Sequence, residues 1–87
     1  MPESNKSLAN RLKLTREALE LTPAQICKTL RIGANAWSQY ESGARRITVQ
    51  VAIKFCEAYG LTLDWVYRAD ASRLPYEIRI KLPPEAA

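Results

Sequence analysis

The stretch TPAQICKTLRIGANAWSQYESG, residues 22–43 of an 87-residue chain, is the one whose reading decides the fold. Thr22-Pro23 is a helix start: a hydroxyl N-cap followed by proline at the first helical position, where a fixed φ and a missing N–H do no harm. Ile26, Cys27 and Leu30 then fall on one face, which predicts a helix from Pro23 to about Arg31. Gly33 interrupts it. A second helix fits Ala34 to Glu41, with Trp37 and Tyr40 as its large inward residues. Ser42-Gly43 ends it, since glycine takes the left-handed cap conformation without steric cost.

Outward from this centre the chain keeps the helical period. Residues 1–6 are polar and read as a flexible terminus. From Ser7 a first helix places Leu8, Leu12 and Leu19 on one face, with Asn5 or Ser7 as its cap. After the loop Ala44-Arg45-Arg46-Ile47, Thr48 caps a fourth helix running to about Tyr59, with Val51, Ala52, Phe55, Cys56 and Tyr59 at helical spacing and Gly60 as its stop. Thr62 caps a short fifth helix from Leu63 to about Tyr67, where Asp64 suits the helix dipole. The expectation is an all-α, compact five-helix domain over residues 7–70, with a C-terminal extension over residues 71–87. In that extension Tyr76, Ile78, Ile80 and Leu82 alternate with charges, which is a strand period. Pro75 and the Ile78/Leu82 spacing suit a short helix as well; the helix is slightly preferred and the strand stays open. Pro83-Pro84 stops either one.

Composition narrows the function. Apolar residues are 47% and charged residues 25%, as in an ordinary globular chain. A chain this short buries roughly 60–65% of its unfolded surface, so association would add useful burial. No apolar run approaches the ~20 residues of a membrane span, and none stands near Met1, so a cytoplasmic protein without a membrane partner or signal peptide is expected. Histidine is absent, and only three glycines and two cysteines occur. Neither a phosphate loop nor a four-ligand zinc site can be assembled from these, so no enzyme activity, cofactor or metal is expected. Cys27 and Cys56 lie on inward helical faces and read as reduced, buried thiols. The net charge is +4, and its placement is uneven. Residues 1–48 carry eight basic and four acidic side chains, residues 49–87 five of each. A polyanion, nucleic acid above all, is the partner this suits.

A helix, a three- to four-residue turn containing glycine, and a second helix make the helix-turn-helix pattern. From Leu8 to about Asp70 the chain resembles the phage-repressor/Cro-like helix-turn-helix family of bacterial and phage regulators. The resemblance is carried by Arg11-Leu12-Lys13 and Arg16, by Leu21-Thr22, by Ile26-Cys27 and Leu30, and by Trp37-Ser38-Gln39-Tyr40-Glu41-Ser42-Gly43. Ala52, Ala58-Tyr59-Gly60-Leu61 and Leu63-Asp64-Trp65 complete it. It departs from many relatives at Pro23, where they have a bracing glutamine, and at Ala34, where they have a polar base reader.

The resemblance implies that the helix beginning near Gly33 enters the DNA major groove. Ala34, Asn35, Ser38 and Gln39 are then the base-reading positions. By spacing alone Asn35, Ser38 and Gln39 are polar residues on an exposed helix face. Asn and Gln match the N6 and N7 edge of adenine, and Ala34 can touch a thymine methyl. Arg45 and Arg46 fall in a loop that implies phosphate contact, with Thr48 and Gln50 as neutral contacts beside the fourth helix and Lys13 and Lys28 as weaker candidates. Arg16 is expected to pair with Glu41 first and to reach a phosphate second. With no Lys or Arg on the recognition helix, specificity leans on DNA shape or on Arg45 and Arg46. Trp65 and Val66, with Tyr76, Ile78, Ile80 and Leu82, are the expected interface of a homodimer. The function this implies is sequence-specific binding of double-stranded DNA as a homodimer on a palindromic operator, regulating transcription as a repressor. The alternatives are an antitoxin that also binds a toxin protein, and a protein-interaction module on the same scaffold.

Overall fold

The structure, a computed structural model, describes residues 5–83. The expected flexibility of residues 1–4 and the second proline of the Pro83-Pro84 stop lie outside them. Among the described residues there are six helices and no strand. They are α1 (Asn5–Ala18), α2 (Pro23–Leu30), α3 (Ala36–Ser42), α4 (Val49–Tyr59), α5 (Leu63–Arg68) and α6 (Tyr76–Arg79). α1 packs on α3 and α5, α2 on α3 and α4, and α4 on α5.

Three of these helices start on a threonine hydroxyl, as their sequences predict. Thr22, Thr48 and Thr62 accept from the backbone N–H of Gln25, Val51 and Trp65 at 3.1, 3.2 and 3.0 Å. At α2 the cap is reciprocal: the Gln25 side chain accepts from the Thr22 N–H at 2.7 Å, which closes a capping box. α1 differs from expectation. It already includes Asn5 and Lys6, so neither Asn5 nor Ser7 is its cap and the expected flexible terminus is helical from Asn5 onward. α3 begins at Ala36, two residues later than predicted, because Ala34 and Asn35 belong to the turn.

The core lies where α1, α2, α3, α4 and α5 converge. Leu8, Leu12, Ile26, Trp37, Phe55, Trp65 and Val66 are its fully enclosed side chains. Trp37 meets Phe55 with ring centroids 4.9 Å apart, and Phe55 meets Tyr59 at 5.6 Å. Two polar groups cross this interior with partners. The Thr15 hydroxyl donates to the Arg11 carbonyl at 2.6 Å and accepts from the Trp65 indole N–H at 2.9 Å. Arg11 reaches 55 residues along the chain and donates to the Val66 carbonyl from Nε at 3.1 Å and Nη2 at 2.6 Å, satisfying an acceptor near the C-terminal end of α5.

This packing corrects one expectation. Trp65 and Val66, assigned to an interface between copies, are each 1% exposed. They face inward because α5 lies across α1 and α4, so they have no area left to offer a second chain. The extension also folds back on its own domain. Leu74 is buried, and Ile78 and Leu82 pack on the core from α6 and the turn after it. A helical turn sends Ile78 and Leu82 inward and Tyr76 and Ile80 outward, each pair four residues apart, so the alternating pattern resolves as a helix.

Candidate nucleic-acid interface

The turn between α2 and α3 is set by backbone caps. Arg31 ends α2 in the left-handed region, at φ 57°, and Ile32 N–H returns to the Cys27 carbonyl at 3.0 Å. The Gly33 carbonyl then accepts from Ala36 N–H at 3.0 Å and starts α3. Trp37 and Tyr40, three residues apart, hold α3 to the core. That fixes the opposite face outward: Ala34, Asn35 and Ser38 are exposed and Gln39 is half-buried. All four expected base-reading residues therefore lie on the turn and outer side of α3.

Behind this face α3 is locked at its C-terminal end. The Arg16 guanidinium donates from Nε to Glu41 Oε2 at 2.6 Å, from Nη2 to Glu41 Oε1 at 3.3 Å, and from Nη1 to the Leu21 carbonyl at 2.8 Å. The Trp37 indole N–H donates to the same Glu41 Oε2. The bond to Glu41 raises the Arg16 pKa further above its ordinary value, so the charge is permanent. Each of the three guanidinium nitrogens of Arg16 thus has a partner inside the domain, which makes it a positioning residue before anything else.

The loop after α3 carries the two arginines. Arg45 Nη1 donates to the Gln39 side-chain carbonyl at 3.3 Å, and its guanidinium lies over the Tyr40 ring at 5.9 Å. Arg46 Nη1 donates to Asn5 Oδ1 at 3.4 Å and lies 5.6 Å from the Tyr67 ring centre. Asn5 also donates from Nδ2 to the Gly43 carbonyl at 3.4 Å. Gly43 itself needs no replacement for its role as the α3 stop: its φ of 83° is one that side chains rarely adopt. Tyr67 holds the next residue, donating from its hydroxyl to the Ile47 carbonyl at 3.0 Å; burial pushes that hydroxyl's pKa up against a smaller opposing pull from Arg46.

Arg45, Arg46 and the α4 cap Thr48 thus follow Gln39 of α3 along one short segment of chain. Gln50 is exposed in the first turn of α4. Lys13 and Lys28 are exposed on α1 and α2, and no hydrogen bond among the described residues ties them to the loop. Asn5 and Tyr67 are the members that sequence reading missed. Both act on the loop from far along the chain, and neither has a local signal that points there. Among the described residues no cluster of three His, Cys, Asp or Glu could hold a metal ion, and no helix is long and apolar enough to cross a membrane.

Two short helices crossed on a tight turn, the second anchored by its inner face and open on its outer one, define a DNA-binding helix-turn-helix domain. Residues 7–66 match the helix-turn-helix domain family, and the chain belongs to it, as a regulator of the phage-repressor/Cro-like type. No curated protein and no solved structure matches the chain.

Proposed function

We propose that this chain binds double-stranded DNA in a sequence-specific manner, with α3 in the major groove, and represses transcription by occupying an operator. One observation carries the reading: α3 is clamped to the core by Trp37, Tyr40 and the Arg16–Glu41 pair while Asn35, Ser38 and Gln39 stand outward beside Arg45 and Arg46. Rigid polar readers flanked by positive charge held in place by its neighbours are what groove recognition with phosphate anchoring needs. In this reading Ala34 contacts a thymine methyl, Thr48 and Gln50 lie near phosphates at the start of α4, and Lys13 and Lys28 add outlying charge.

The operator is palindromic and the bound form is a homodimer. A single α3 offers few base contacts, so one copy binds weakly. Two copies double the contacts if their recognition helices sit ~34 Å apart, one turn of DNA. The protomer's backbone measures 30 × 29 × 20 Å, so two copies side by side come close to that separation. Tyr76 on α6 and Ile80 just after it, 66% and 60% exposed, supply apolar surface for the contact, while Ile78 and Leu82 pack on the core. The same surface favours a second reading, in which a protein partner such as a toxin covers α6. The two free cysteines are buried, which suits the reducing cytoplasm.

Selection of bound sites from random duplex DNA tests the reading directly. The expected result is a palindromic site with half-sites one or more helical turns apart, bound with steep salt dependence. Weak binding that is equal for all sequences overturns it.

A further inference from the structure

We infer that Arg45 is a specificity-determining residue that turns Gln39 into a hydrogen-bond donor, so that the pair reads guanine. The inference rests on the DNA-binding reading above and deepens it. A free glutamine side chain shows one donor and one acceptor, and that combination fits the adenine edge. Gln39 is not free. Its Oε1 accepts from Arg45 Nη1 at 3.3 Å, and its backbone carbonyl accepts from the Arg45 N–H at 3.2 Å. A guanidinium has five donors and no acceptor, so this contact decides which way the carboxamide is turned. Oε1 faces the loop, and Nε2 with its two N–H groups faces away from it. The Tyr40 ring beneath the guanidinium, 5.9 Å away, restrains the arginine that does the holding. The carboxamide on the neighbouring helix cannot substitute, because Gln25 is closed into the Thr22 capping box.

The combined surface of Gln39 and Arg45 is therefore a row of N–H donors. Guanine presents two acceptors in the major groove, O6 and N7, whereas adenine presents a donor beside its one acceptor. A donor-only pair meets adenine's N6 amino group with a like group and is disfavoured there. Arg45 carries this selectivity while standing outside α3, on the loop that otherwise looks like phosphate-binding charge. Holding the side chain before binding also reduces the rotamer freedom lost on the DNA.

The test compares the full-length chain with Gln39→Ala, Arg45→Lys and the double variant on the selected operator and on operators changed at single base pairs. Arg45→Lys keeps the charge but loses the planar fork and its seat over the Tyr40 ring, the two features that hold a donor on Gln39 Oε1. The wild-type site should carry guanine at the base pair whose preference Gln39→Ala abolishes. Arg45→Lys should lower guanine-over-adenine discrimination there by about tenfold, with the salt slope unchanged. Adding Gln39→Ala to Arg45→Lys should then change discrimination less than threefold. Adenine at that position, or full discrimination in Arg45→Lys, overturns the inference and leaves DNA binding standing. A wild-type chain with no sequence preference removes both.

Discussion

Arg16 on α1 grips Glu41 at the end of α3 with two hydrogen bonds, 2.6 and 3.3 Å long, and the Trp37 indole N–H joins them on the same carboxylate. Both side chains are largely enclosed, 15% and 13% exposed, so the pair is shielded from the screening that weakens surface ion pairs. Glu41 takes only donors, which makes its shape-conserving replacement informative. Glu41→Gln substitutes an NH2 for one oxygen and must point it at Arg16 or Trp37, donor against donor. The expected loss is about 1–3 kcal/mol, read as a lower urea midpoint with an unchanged slope. A loss below about 0.5 kcal/mol would reduce the pair to an ordinary surface contact.

Arg46 is held by Asn5 and sits against Tyr67, so its charge is aimed from a supported position beside α3. Arg46→Ala should weaken specific and non-specific DNA binding alike and lower the log–log salt slope by about one. Replacing Arg45 and Arg46 together should lower the slope by about two and also relax specificity. Salt titrations on operator and random duplexes separate these effects, and an unchanged slope takes Arg46 off the DNA surface.

The starts of α2, α4 and α5 were legible in the sequence because their signal is local, whereas α3 has no side-chain cap bond, and α1 and α3 were each misplaced by two residues. Thr22, Thr48 and Thr62 each bond an N–H three residues ahead, and that spacing can be read directly. The ends were less legible. Five helices end on a left-handed residue, but glycine occupies that position only at Gly43 and Gly60; Glu20, Arg31 and Ala69 occupy the others. The expected end of α2 at about Arg31 agrees with the structure, but glycine as a stop signal points to Gly33, two residues beyond the left-handed Arg31 that makes the cap. The Arg16–Glu41 pair was expected from family resemblance, whereas the Asn5–Arg46 contact spans 41 residues and has no local trace. Trp65 and Val66 were misplaced for a related reason: periodicity gives the buried face of a helix but not which chain covers it.

Ala69 ends α5 at φ 58°, where a β-carbon is strained. Its N–H reaches back to the Trp65 carbonyl at 3.2 Å, a left-handed cap that glycine adopts readily. Ala69→Gly should raise stability by about 0.5–1 kcal/mol, the relief of strain exceeding the extra unfolded-state entropy. Thermal denaturation away from DNA checks it. A lower melting temperature would mean that the alanine methyl makes packing contacts worth more than the strain.

Cys56 is buried on α4, and burial, reinforced by the charge of Glu57, pushes its pKa up to about 11. An unfolded thiol ionises near 8.5. Between these values the unfolded chain has released a proton that the folded chain keeps, so stability falls as pH rises through this window and the contribution is fully present below it. The wild type should lose more stability between about pH 8.5 and 11 than Cys56→Ala does, and comparing the two cancels the other titrating groups. Equal slopes would show that the thiol is not protected by its surroundings.

Assembly can be tested without disturbing the fold, provided the substitutions avoid the core. Cutting the chain before Leu74 would be ambiguous, because Leu74 is buried and Ile78 and Leu82 pack on the core. A truncated chain could fail to dimerise simply because it has lost part of its own core. Tyr76 and Ile80 are free of that problem: they point outward and are the most exposed large apolar residues described. Tyr76→Ser with Ile80→Ser should leave the melting temperature of dilute protein nearly unchanged, since exposed positions usually shift stability by less than about 0.5 kcal/mol. The same variant should shift sedimentation from dimer toward monomer and abolish cooperative binding to a two-half-site operator, while binding to a single half-site persists. If it remains dimeric, the two-fold contact lies elsewhere, with the exposed Val49 and Ile53 on α4 the next surface to change. A wild-type chain that is monomeric both free and on the palindrome removes the homodimer and leaves α6 as a surface for a different protein.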